Sequence, residues 1–422
     1  MVKINFLGGC LQIGGSAIAI ESPAGTVLMD YGIYMKGKPS FPHEIKPKDL
    51  NAILLTHAHL DHSGGLPLLY SGMAIPRLFS TPLTIDLTQI LIFDMIRISE
   101  YYLPFGKKEL LRMTNNSKHL MYGKKKISSQ CMAQFLDAGH IPGSISIYLD
   151  VDGKKIFYTG DFNSFNTQLL NKARFKISKL DCLIIESTYA LESHPKREET
   201  EKTFIDKVNE IVSQDGTVLV PAFGVARSQE ILCLLQKYNF KYPVFMDGMA
   251  RTVSRIFTSY PNYFRNFNLL KKALKHAHLI SRGKMKEKER IKATSTPGVI
   301  IAPSGMLKGG TAVSYMNELS HNTQNGIFLV SFQIPDTPGQ ILLDTNQWDG
   351  SKVNAEVDSF KFSSHAGRSG LWDFIHSFEK NTDLTVFCVH GEEESCKTFA
   401  KEINETTNFT GIAPKTNESF KI

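Results

Sequence analysis

The chain has 422 residues, of which 42% are hydrophobic and 21% are charged, and this composition excludes global disorder, a collagen-like repeat and a coiled coil. At roughly 150 residues per domain, the length predicts two or three domains. Lysine and arginine outnumber aspartate and glutamate by 48 to 41, and the resulting net charge of +7 weakly favours polyanionic partners.

The cysteines and the amino terminus indicate a cytoplasmic protein. The six cysteines show no C-x-x-C spacing, and a chain of this length does not need disulfides. The start, MVKINFLGG, lacks the basic and apolar regions of a signal peptide, and the best apolar stretch, 83–98, is interrupted by Asp86 and Asp94. The sequence therefore predicts a protein without a membrane partner.

The first third of the chain alternates strand-like runs with turns. VKINFLGG, SAIAIES, TVLMDYG and NAILL each end at a polar or Gly-rich segment, as strands do. Helical periodicity follows between 82 and 127, in a stretch that becomes basic. We interpret that stretch as a solvated helix and hairpin, or else as a rim that faces the substrate. Its lysines are Lys107, Lys108, Lys118, Lys124, Lys125 and Lys126.

From about residue 195, strands and helices alternate regularly. Helices are predicted at 198–213, 226–238 and 250–260 and after Gly310, with strands TVLVPAF, YPVFMD, GVIIAPSG and NGIFLVSF between them. This alternation is typical of βαβ units on a parallel sheet. The pattern of the first third, strand-like runs that end at polar or small-residue turns, returns with VNAEVDSFKFSSH, a helix at 370–378 and LTVFCVHGEEE. We therefore expect one domain, 1–190 and 353–422, to be interrupted by another, 191–352.

Residues 56–65, THAHLDHSGG, carry the strongest chemical signal. Four candidate ligands directly follow a hydrophobic strand: His57, His59, Asp61 and His62. Alternate residues leaving a strand point the same way, so His57 and His59 can share one metal ion. Asp61 and His62, on the following turn, can reach a second ion. A His-rich surface loop or a structural metal clip is the alternative.

Further candidates lie where later strands meet small-residue turns. They are His140 in DAGHIPGS, Asp161 in FYTGDFN, His365 in FSSHAGRSG and His390 in FCVHGEEE. Two neighbouring ions need more than four ligands, and a bridging carboxylate usually holds such a pair about 3.5–4 Å apart. Each residue alone is compatible with an ordinary core or turn position, but their shared placement predicts one rim of the sheets.

These motifs resemble those of a known family. THAHLDH followed by His140 and Asp161 is similar to the metallo-β-lactamase superfamily. ESTYALESHPKREETE, PAFGVARSQE, APSGMLKGG, FSSHAGRSG and VHGEE are similar to its β-CASP branch, whose members process nucleic acids. Within that branch, GGCLQIGGSAI resembles archaeal homologues of the cleavage and polyadenylation specificity factor endonuclease. The resemblance implies an α/β fold: a four-layered αββα metallo-β-lactamase sandwich with an inserted α/β β-CASP domain on a mostly parallel sheet.

The resemblance also implies a centre of two Zn²⁺ ions, with manganese or iron as alternatives. It assigns His57, His59 and His140 to one ion, Asp61, His62 and His390 to the other, and Asp161 to both. A hydroxide between the ions would attack phosphorus, His365 would protonate the leaving oxygen and Glu186 would keep His365 protonated. Asp30 would orient a ligand histidine, with an ordinary strand-end turn as the alternative.

Substrate contacts are expected mainly in the inserted domain. The residues implied are Ser304, Gly305, Gly309 and Gly310, whose backbone N–H groups would cradle phosphates, with Arg227 and Ser364 as further contacts. A tight turn into a helix explains those glycines equally well. Lysines and an arginine at Lys284, Lys286, Lys288 and Arg290 alternate with glutamates and predict a solvated helix face.

The chain departs from the family pattern at several positions. Gly15 stands where an arginine is usual, Asp247-Gly248-Met249 replaces a D-S-P loop, Gln340 replaces an arginine, and Ala366-Gly367 follows His365 in place of a common aspartate. None of these is an implied metal ligand. We therefore expect catalysis to survive with altered substrate affinity or preference.

The resemblance implies a ribonuclease that cuts single-stranded RNA in RNA processing or decay, as an endonuclease, a 5′ to 3′ exonuclease or both. His390 favours RNA, because the DNA cross-link repair members carry an apolar residue there, and a narrow cleft between two domains would admit one strand. The alternatives are a ribonuclease J-like 5′-monophosphate-dependent exonuclease, a catalytically idle scaffold subunit and a small-molecule hydrolase. A homodimer and partners in an RNA-processing complex stay open.

Overall fold

The computed structural model describes residues 1–35, 38–99, 101–177, 179–378 and 383–422. Contacts divide the chain into two compact units. The first comprises Met1–Asn166, Lys172–Ser193 and Ser364–Ile422, and the second comprises Thr167–Asn171 and His194–Ser363. The expected domain boundaries at 190/191 and 352/353 differ from these contact boundaries and stay a prediction.

The described residues form strands and helices with the following bounds. The strands are β1 Lys3–Gly8, β2 Ala17–Ser22, β3 Gly25–Met29, β4 Leu50–Leu54, β5 Leu78–Ser80, β6 Ser117–His119, β7 Gly123–Ser128, β8 Cys131–Asp137, β9 Ile145–Val151, β10 Lys154–Tyr158, β11 Cys182–Glu186, β12 Thr217–Pro221, β13 Val244–Met246, β14 His278–Leu279, β15 Gly298–Ala302, β16 Gly326–Leu329, β17 Gln347–Trp348, β18 Ser351–Lys352, β19 Glu356–Ser359, β20 Thr385–Val389, β21 Thr410–Ile412 and β22 Ser419–Lys421. The α-helices are α1 Leu60–Ser63, α2 Pro82–Ile98, α3 Lys107–Asn115, α4 Arg197–Ser213, α5 Arg227–Lys237, α6 Gly248–Phe257, α7 Phe267–His276, α8 Lys286–Thr294, α9 Thr311–Leu319, α10 Pro338–Thr345, α11 Arg368–His376 and α12 Glu393–Thr406. Among them, none combines the length and the apolarity needed to cross a lipid bilayer.

The first unit is built on two seven-stranded sheets. Their strand orders are β22-β1-β2-β3-β4-β5-β6 and β21-β20-β11-β10-β9-β8-β7. Successive side chains of a strand point to opposite faces, and in β1 Phe6 joins the core between the two sheets whereas Leu7 joins the core on the outer face. Helices α2 and α3 cover the outer face of the first sheet, and α11 and α12 cover that of the second. The predicted four-layered αββα sandwich is confirmed.

The second unit is built on a six-stranded sheet. Its order is β14-β13-β15-β12-β16-β19, and every pair in it is parallel. The predicted helices appear as α4, α5, α6 and α9. The sequence interpretation missed α7, although the Asn266 side chain caps that helix by accepting a 3.0 Å hydrogen bond from the Leu269 N–H. The parallel sheet agrees with the predicted α/β character of the insertion.

The basic stretch after α2 divides among three elements. Lys107 and Lys108 begin α3, Lys118 lies in β6, and Lys124–126 lie in β7, which forms the predicted hairpin with β8. Strands β6 and β7 are the last strands of their respective sheets. The lysines of β6 and β7 therefore line one open edge of the sandwich.

The prediction of a fully solvated face on α8 is wrong at Arg290. Its side chain is only 12% exposed, and its Nε donates a 2.7 Å hydrogen bond to Oδ2 of Asp247. Asp247 is itself buried and also accepts a 3.1 Å hydrogen bond from the Tyr315 hydroxyl. A buried carboxylate needs such partners, and alternation along the sequence could not reveal this one. Lys284 and Lys288 are exposed, as predicted.

A buried ion network in the second unit holds the segment Thr167–Asn171 against α5. Glu230 is buried, and its carboxylate accepts hydrogen bonds from the backbone N–H groups of Gln168, at 2.8 Å, and Leu169, at 3.0 Å. The guanidinium of Arg197 pairs with the same carboxylate. Both backbone donors therefore depend on this one side chain, while Arg197 is shared between it and Glu201, whose Oε1 lies 3.3 Å from the Arg197 Nε.

Replacing Glu230 with alanine is expected to lower the free energy of unfolding by about 3–5 kcal/mol, because two backbone N–H groups lose their acceptor and the buried Arg197 guanidinium keeps only its 3.3 Å contact with Glu201. Urea denaturation followed by circular dichroism measures the change. Glu199→Ala, which removes an exposed pair from α4, is the control and is expected to cost less than about 1 kcal/mol. Equal losses in the two variants would contradict the assignment.

Candidate metal centre

The candidate ligands lie at the carboxyl ends of strands that run in one direction. Strands β10, β11 and β20 are mutually parallel, and β8 runs the same way because two antiparallel pairings separate it from β10. His140, Asp161 and His390 follow β8, β10 and β20. His57 follows β4 of the other sheet, and the Ile145 N–H donates a 2.9 Å hydrogen bond to the carbonyl of Thr56. Strand direction thus brings distant parts of the sequence together.

One group of donors consists of His57, His59, His140 and Asp161, whose ligand atoms all lie within 4.8 Å of one another. Nδ1 of His59 and Nε2 of His140 are 3.2 Å apart. Nε2 of His57 is buried, lies 3.6 Å from Oδ2 of Asp161, and makes no hydrogen bond within the described residues. Burial lowers the pKa of all three imidazoles, to about 4 in His59. Three neutral rings therefore converge on one carboxylate.

A second group consists of Asp61, His62, Asp161 and His390. The Nε2 atoms of His62 and His390 are 3.2 Å apart. Oδ1 of Asp161 lies 3.3 Å from Nε2 of His62 and 3.1 Å from Nδ1 of His390. Burial alone would raise the pKa of Asp161, but the neighbouring imidazoles of His390 and His62 hold it well below its usual range. Asp161 is an anion that the two groups share.

Asp30 fixes the orientation of His62. Its Oδ2 accepts a 2.8 Å hydrogen bond from Nδ1 of His62, which directs Nε2 towards Asp161. The Thr56 N–H and the Tyr158 hydroxyl donate to the same carboxylate at 2.8 and 3.0 Å. Burial lowers the pKa of His62, but Asp161 and Asp30 raise it well above the usual value. The sequence interpretation missed Thr56 and Tyr158, although they stand within the quoted stretches THAHLDHSGG and FYTGDFN.

His390 adopts a backbone conformation that residues other than glycine rarely take. Its φ is +49°, in the left-handed region, and its N–H donates a 2.8 Å hydrogen bond to the carbonyl of Gly9. The Thr188 hydroxyl donates to the carbonyl of His390 at 3.0 Å. Strain of this kind persists where surrounding contacts determine the conformation. Thr188 was not predicted, although it lies in ESTYALESHPKREETE.

His365 and Glu186 form a pair beside Asp161. Nδ1 of His365 lies 2.8 Å from Oε2 of the buried Glu186, and 4.0 Å from Oδ2 of Asp161. Burial alone would lower the pKa of His365, but Glu186 and then Asp161 raise it to about 9. Oε1 of Glu186 accepts a 2.8 Å hydrogen bond from the Phe162 N–H, directly after Asp161. The imidazole is therefore cationic at neutral pH and fixed in position.

The candidate substrate residues fall into two places. Ser364 is in the first unit, where its carbonyl accepts a 2.9 Å hydrogen bond from Nδ1 of His140. The others are in the second unit, after strand ends: Arg227, Ser304, Gly305, Gly309 and Gly310.

The loop before α9 is tightly closed. Gly309 and Gly310 have φ of +82° and +78°, and a Cβ on Gly310 would lie 2.7 Å from the carbonyl oxygen of Pro303. The Ser304 hydroxyl donates to the carbonyl of Gly309 at 3.1 Å. The turn geometry by itself requires glycine at position 310, and it leaves the phosphate-binding role of this loop as a prediction.

Comparison with known proteins agrees with this architecture. Residues 12–72 match the metallo-beta-lactamase superfamily, residues 228–342 the Beta-Casp domain, and residues 350–414 the Zn-dependent metallo-hydrolase RNA specificity domain. RNase aCSPSF2 of Saccharolobus solfataricus is 35% identical over 99% of this chain and 85% of its own length. Probable RNase MJ4 of Methanocaldococcus jannaschii is 34% identical, with 100% of both chains covered.

The chain belongs to the β-CASP branch of the metallo-β-lactamase superfamily, among the archaeal homologues of the cleavage and polyadenylation specificity factor endonuclease. A solved structure of a protein of unknown function from Enterococcus faecalis V583 is also similar, with a TM-score of 0.66 and 15% identity over 99% of both chains. At that identity the likeness concerns the fold alone.

This β-CASP protein is a metallo-hydrolase, and its donor set fits a metal cofactor. Two imidazole nitrogens 3.2 Å apart, as in His59 and His140, repel each other unless a proton or a cation lies between them. Nδ1 of the neutral His140 ring donates to the carbonyl of Ser364, so its Nε2 presents a lone pair that a metal ion can take. The unpaired buried Nε2 of His57 gives the same indication, because neutral imidazole nitrogens and carboxylate oxygens are the ligands that zinc takes in hydrolases.

Proposed function

We propose that this chain is a two-zinc ribonuclease that hydrolyses phosphodiester bonds of single-stranded RNA in RNA processing or decay. One observation carries the proposal: a single carboxylate, Asp161, is shared by two groups of ligand atoms and lies 4.0 Å from a histidine that is paired with a buried glutamate. The two relatives named as RNases, which align with nearly the whole chain, support the assignment to RNA.

In this proposal the chain holds the ions with seven residues. His57, His59 and His140 would bind one ion, Asp61, His62 and His390 the other, and Asp161 both. The majority of imidazole ligands favours zinc, although manganese and iron accept the same types of ligand. Bound ions would supply Lewis-acid stabilisation of phosphoryl charge and a lowered pKa for water.

His365 has the properties of a general acid. With Nδ1 engaged by Glu186, the proton would leave from Nε2 towards the oxygen of the departing ribose. Glu186 has two functions in this scheme: it raises the pKa of His365, and through the Phe162 N–H it ties the pair to the segment that carries Asp161. The leaving oxygen would thus receive its proton from a group that is already fixed in place.

Other parts of the proposal rest on the family pattern. Arg227, Ser304, Gly305, Gly309, Gly310 and Ser364 are proposed to contact the RNA. All six cysteines are buried and free, which is compatible with work in a reducing cytoplasm. A homodimer or a complex with other RNA-processing proteins is compatible with the proposal but is not needed for the chemistry.

Replacing Asp30 with asparagine is expected to weaken metal binding by about 10- to 100-fold, because the carboxylate that orients His62 loses its charge. Competition with a chromophoric zinc chelator measures the change. Asp49→Asn, on an exposed turn of the same unit, is the control and is expected to bind metal as the unaltered chain does. Unchanged affinity in the Asp30 variant would contradict its assigned role.

The cutting mode is tested with a single-stranded RNA labelled near its 3′ end and prepared with either a 5′-triphosphate or a 5′-monophosphate. Internal fragments from both forms, absent with His390→Ala, are expected of an endonuclease. Processive shortening of the monophosphate form alone would instead identify a ribonuclease J-like 5′ exonuclease. A zinc-loaded chain that cuts neither form would contradict the proposed function and favour a scaffold role.

A further inference from the structure

A basic groove lies at the open edge of the sandwich in the first unit. Its volume is about 540 Å³, and its polar rim is formed by Arg77, Lys118, His119, Lys125 and Lys126. All five side chains are exposed. Within the described residues, none of the four lysine and arginine side chains has a carboxylate oxygen within 4.0 Å. The groove therefore concentrates positive charge that the protein itself does not neutralise.

Strand register explains why two of these charges, those of Lys118 and Lys125, lie close together. Lys118 of β6 lies opposite Phe79 of β5, and Lys125 of β7 lies opposite Ala133 of β8. Residues directly opposite each other in a sheet share a face, and both Phe79 and Ala133 belong to the core between the two sheets. Lys118 and Lys125 therefore extend that inter-sheet layer outward from its two sides. The Arg77 guanidinium lies 5.9 Å from the centroid of the Phe79 ring at the base of the groove.

The groove is separate from the metal centre. Lys126 pairs with Met132 at the start of β8, and five residues of strand then carry the chain ~17 Å to Asp137, before His140 is reached. No residue is common to the groove and the two ligand groups. Binding here would act on a part of the substrate that is not being cleaved.

Lysines on edge strands also have a purely structural use, since they discourage sheet-to-sheet pairing between molecules. That use accounts for a lysine on each edge. It does not account for Arg77, which precedes β5, or for an exposed histidine at the same rim. A groove that combines unneutralised cations with the exposed, flat ring of His119 has the chemistry of sites that bind a single-stranded nucleic-acid backbone.

We infer that this groove binds the phosphate backbone of single-stranded RNA at a distance from the cleavage centre. Lys118, Lys125, Lys126 and Arg77 contact phosphates, and His119 offers a ring on which a base can stack. The inference rests on the proposed function, because it takes RNA as the substrate. It extends that function by assigning substrate affinity to the first unit, where the family pattern placed the contacts mainly in the inserted domain.

The test is the affinity of the full chain for a fluorescein-labelled RNA of ~20 nucleotides, measured by anisotropy in a His365→Gln background that suppresses cutting. The triple variant Lys118→Gln, Lys125→Gln, Lys126→Gln is expected to raise Kd about tenfold. It is also expected to make the dependence of log Kd on log salt shallower by about 2, since each contact with a single strand contributes about 0.7. Lys→Arg at the same three positions is expected to restore binding.

The matched control is Lys271→Gln, Lys272→Gln, Lys275→Gln, which removes the same charge from exposed positions of α7. A rise in Kd as large as that of the groove variant would overturn the inference, because net charge alone would then explain the effect. A Kd of the groove variant that stays within twofold of the value for the unaltered chain would also overturn the inference. If the triple variant aggregates, Lys125→Gln and Lys126→Gln are measured singly, and each is expected to lower the salt slope by about 0.7.

Two further arms separate the ligands and the hypotheses. Competition by polyglutamate as effective as that by unlabelled RNA would point to an acidic protein and overturn the assignment to RNA. If inorganic phosphate displaces the labelled RNA only at a far higher concentration than unlabelled RNA does, the result supports RNA as the ligand of the groove. Cleavage by the unaltered chain is measured in parallel. If the unaltered chain cuts no RNA but the groove variant still binds RNA more weakly, the proposed function is contradicted and the RNA-binding role of the groove is supported.

Discussion

Replacing Asp161 with alanine is expected to abolish cleavage, with a fall in kcat on the order of 10⁴-fold or more, equivalent to about 5 kcal/mol of barrier. Asp161 is the one carboxylate common to both groups of ligand atoms, so its loss removes a donor from each. It also removes the anion that lies 3.1 Å from His390 and 3.3 Å from His62. We expect the metal content of the purified variant, measured by inductively coupled plasma mass spectrometry, to fall together with kcat.

The matched control for this change is Asp150→Asn, which alters a partly exposed carboxylate on β9 of the same sheet. It is expected to leave metal content and kcat within twofold of the unaltered chain. An Asp161 variant that retains its metal and cuts RNA at the normal rate would show that the shared carboxylate is not part of the active centre.

Replacing His365 with asparagine is expected to lower kcat for RNA by about 10²- to 10⁴-fold, the range typical of a lost general acid. Metal content is expected to stay unchanged, because His365 approaches Asp161 only to 4.0 Å and bonds instead to Glu186. Glu186→Gln leaves the imidazole in place but removes the charge that raises its pKa. We expect a smaller loss in that variant.

A substrate with a better leaving group separates proton donation from simple damage to the site. A phosphodiester with a p-nitrophenolate leaving group needs no proton, so the His365 variant is expected to cleave it at nearly the normal rate. His376→Asn, at an exposed position of α11 in the same unit, is the control for both substrates. Equal losses on RNA and on the activated substrate would refute a general-acid role.

Local signals in the sequence were sufficient to select the candidate metal ligands. His57, His59, Asp61 and His62 stand in one short motif, the structure divides them between two groups of ligand atoms, and their role as metal ligands stays a prediction. His140, Asp161 and His390 were found by a shared feature, a polar residue where an apolar strand ends. Strands that run in the same direction end at the same edge of a sheet. Polar residues that follow such strands therefore lie close together even when more than 300 residues separate them in the sequence.

The residues that the sequence interpretation missed act through geometry that a motif does not encode. Tyr158 reaches Asp30 only because β10 of one sheet faces β3 of the other across the core. Thr188 reaches His390 because β11 and β20 are neighbours. Such contacts depend on the stacking and the order of strands, and the identity of the residue alone, a tyrosine or a threonine, carries no chemical signal.

The fold shows the same division between local and non-local information. Helices α4, α5, α6 and α9 followed from periodicity and the αββα layers from the family resemblance, whereas β19 was expected to belong with the carboxyl-terminal segment and instead joins the sheet of the second unit beside β16. Its four residues contain no pattern that distinguishes one sheet from another. Arg290 was assigned to solvent because its neighbours alternate in charge, and only the position of Asp247, 43 residues earlier, reveals its buried contact.

The most direct test of the central claim is removal and return of the metal. The chain is stripped with a chelator, shown by circular dichroism to remain folded, and assayed on a labelled single-stranded RNA before and after addition of zinc, manganese or iron(II). We expect no cleavage by the stripped chain, recovery with zinc at two ions per chain, and no recovery by Asp161→Ala. Undiminished cleavage by the metal-free chain, or recovery in the Asp161 variant, would contradict the account.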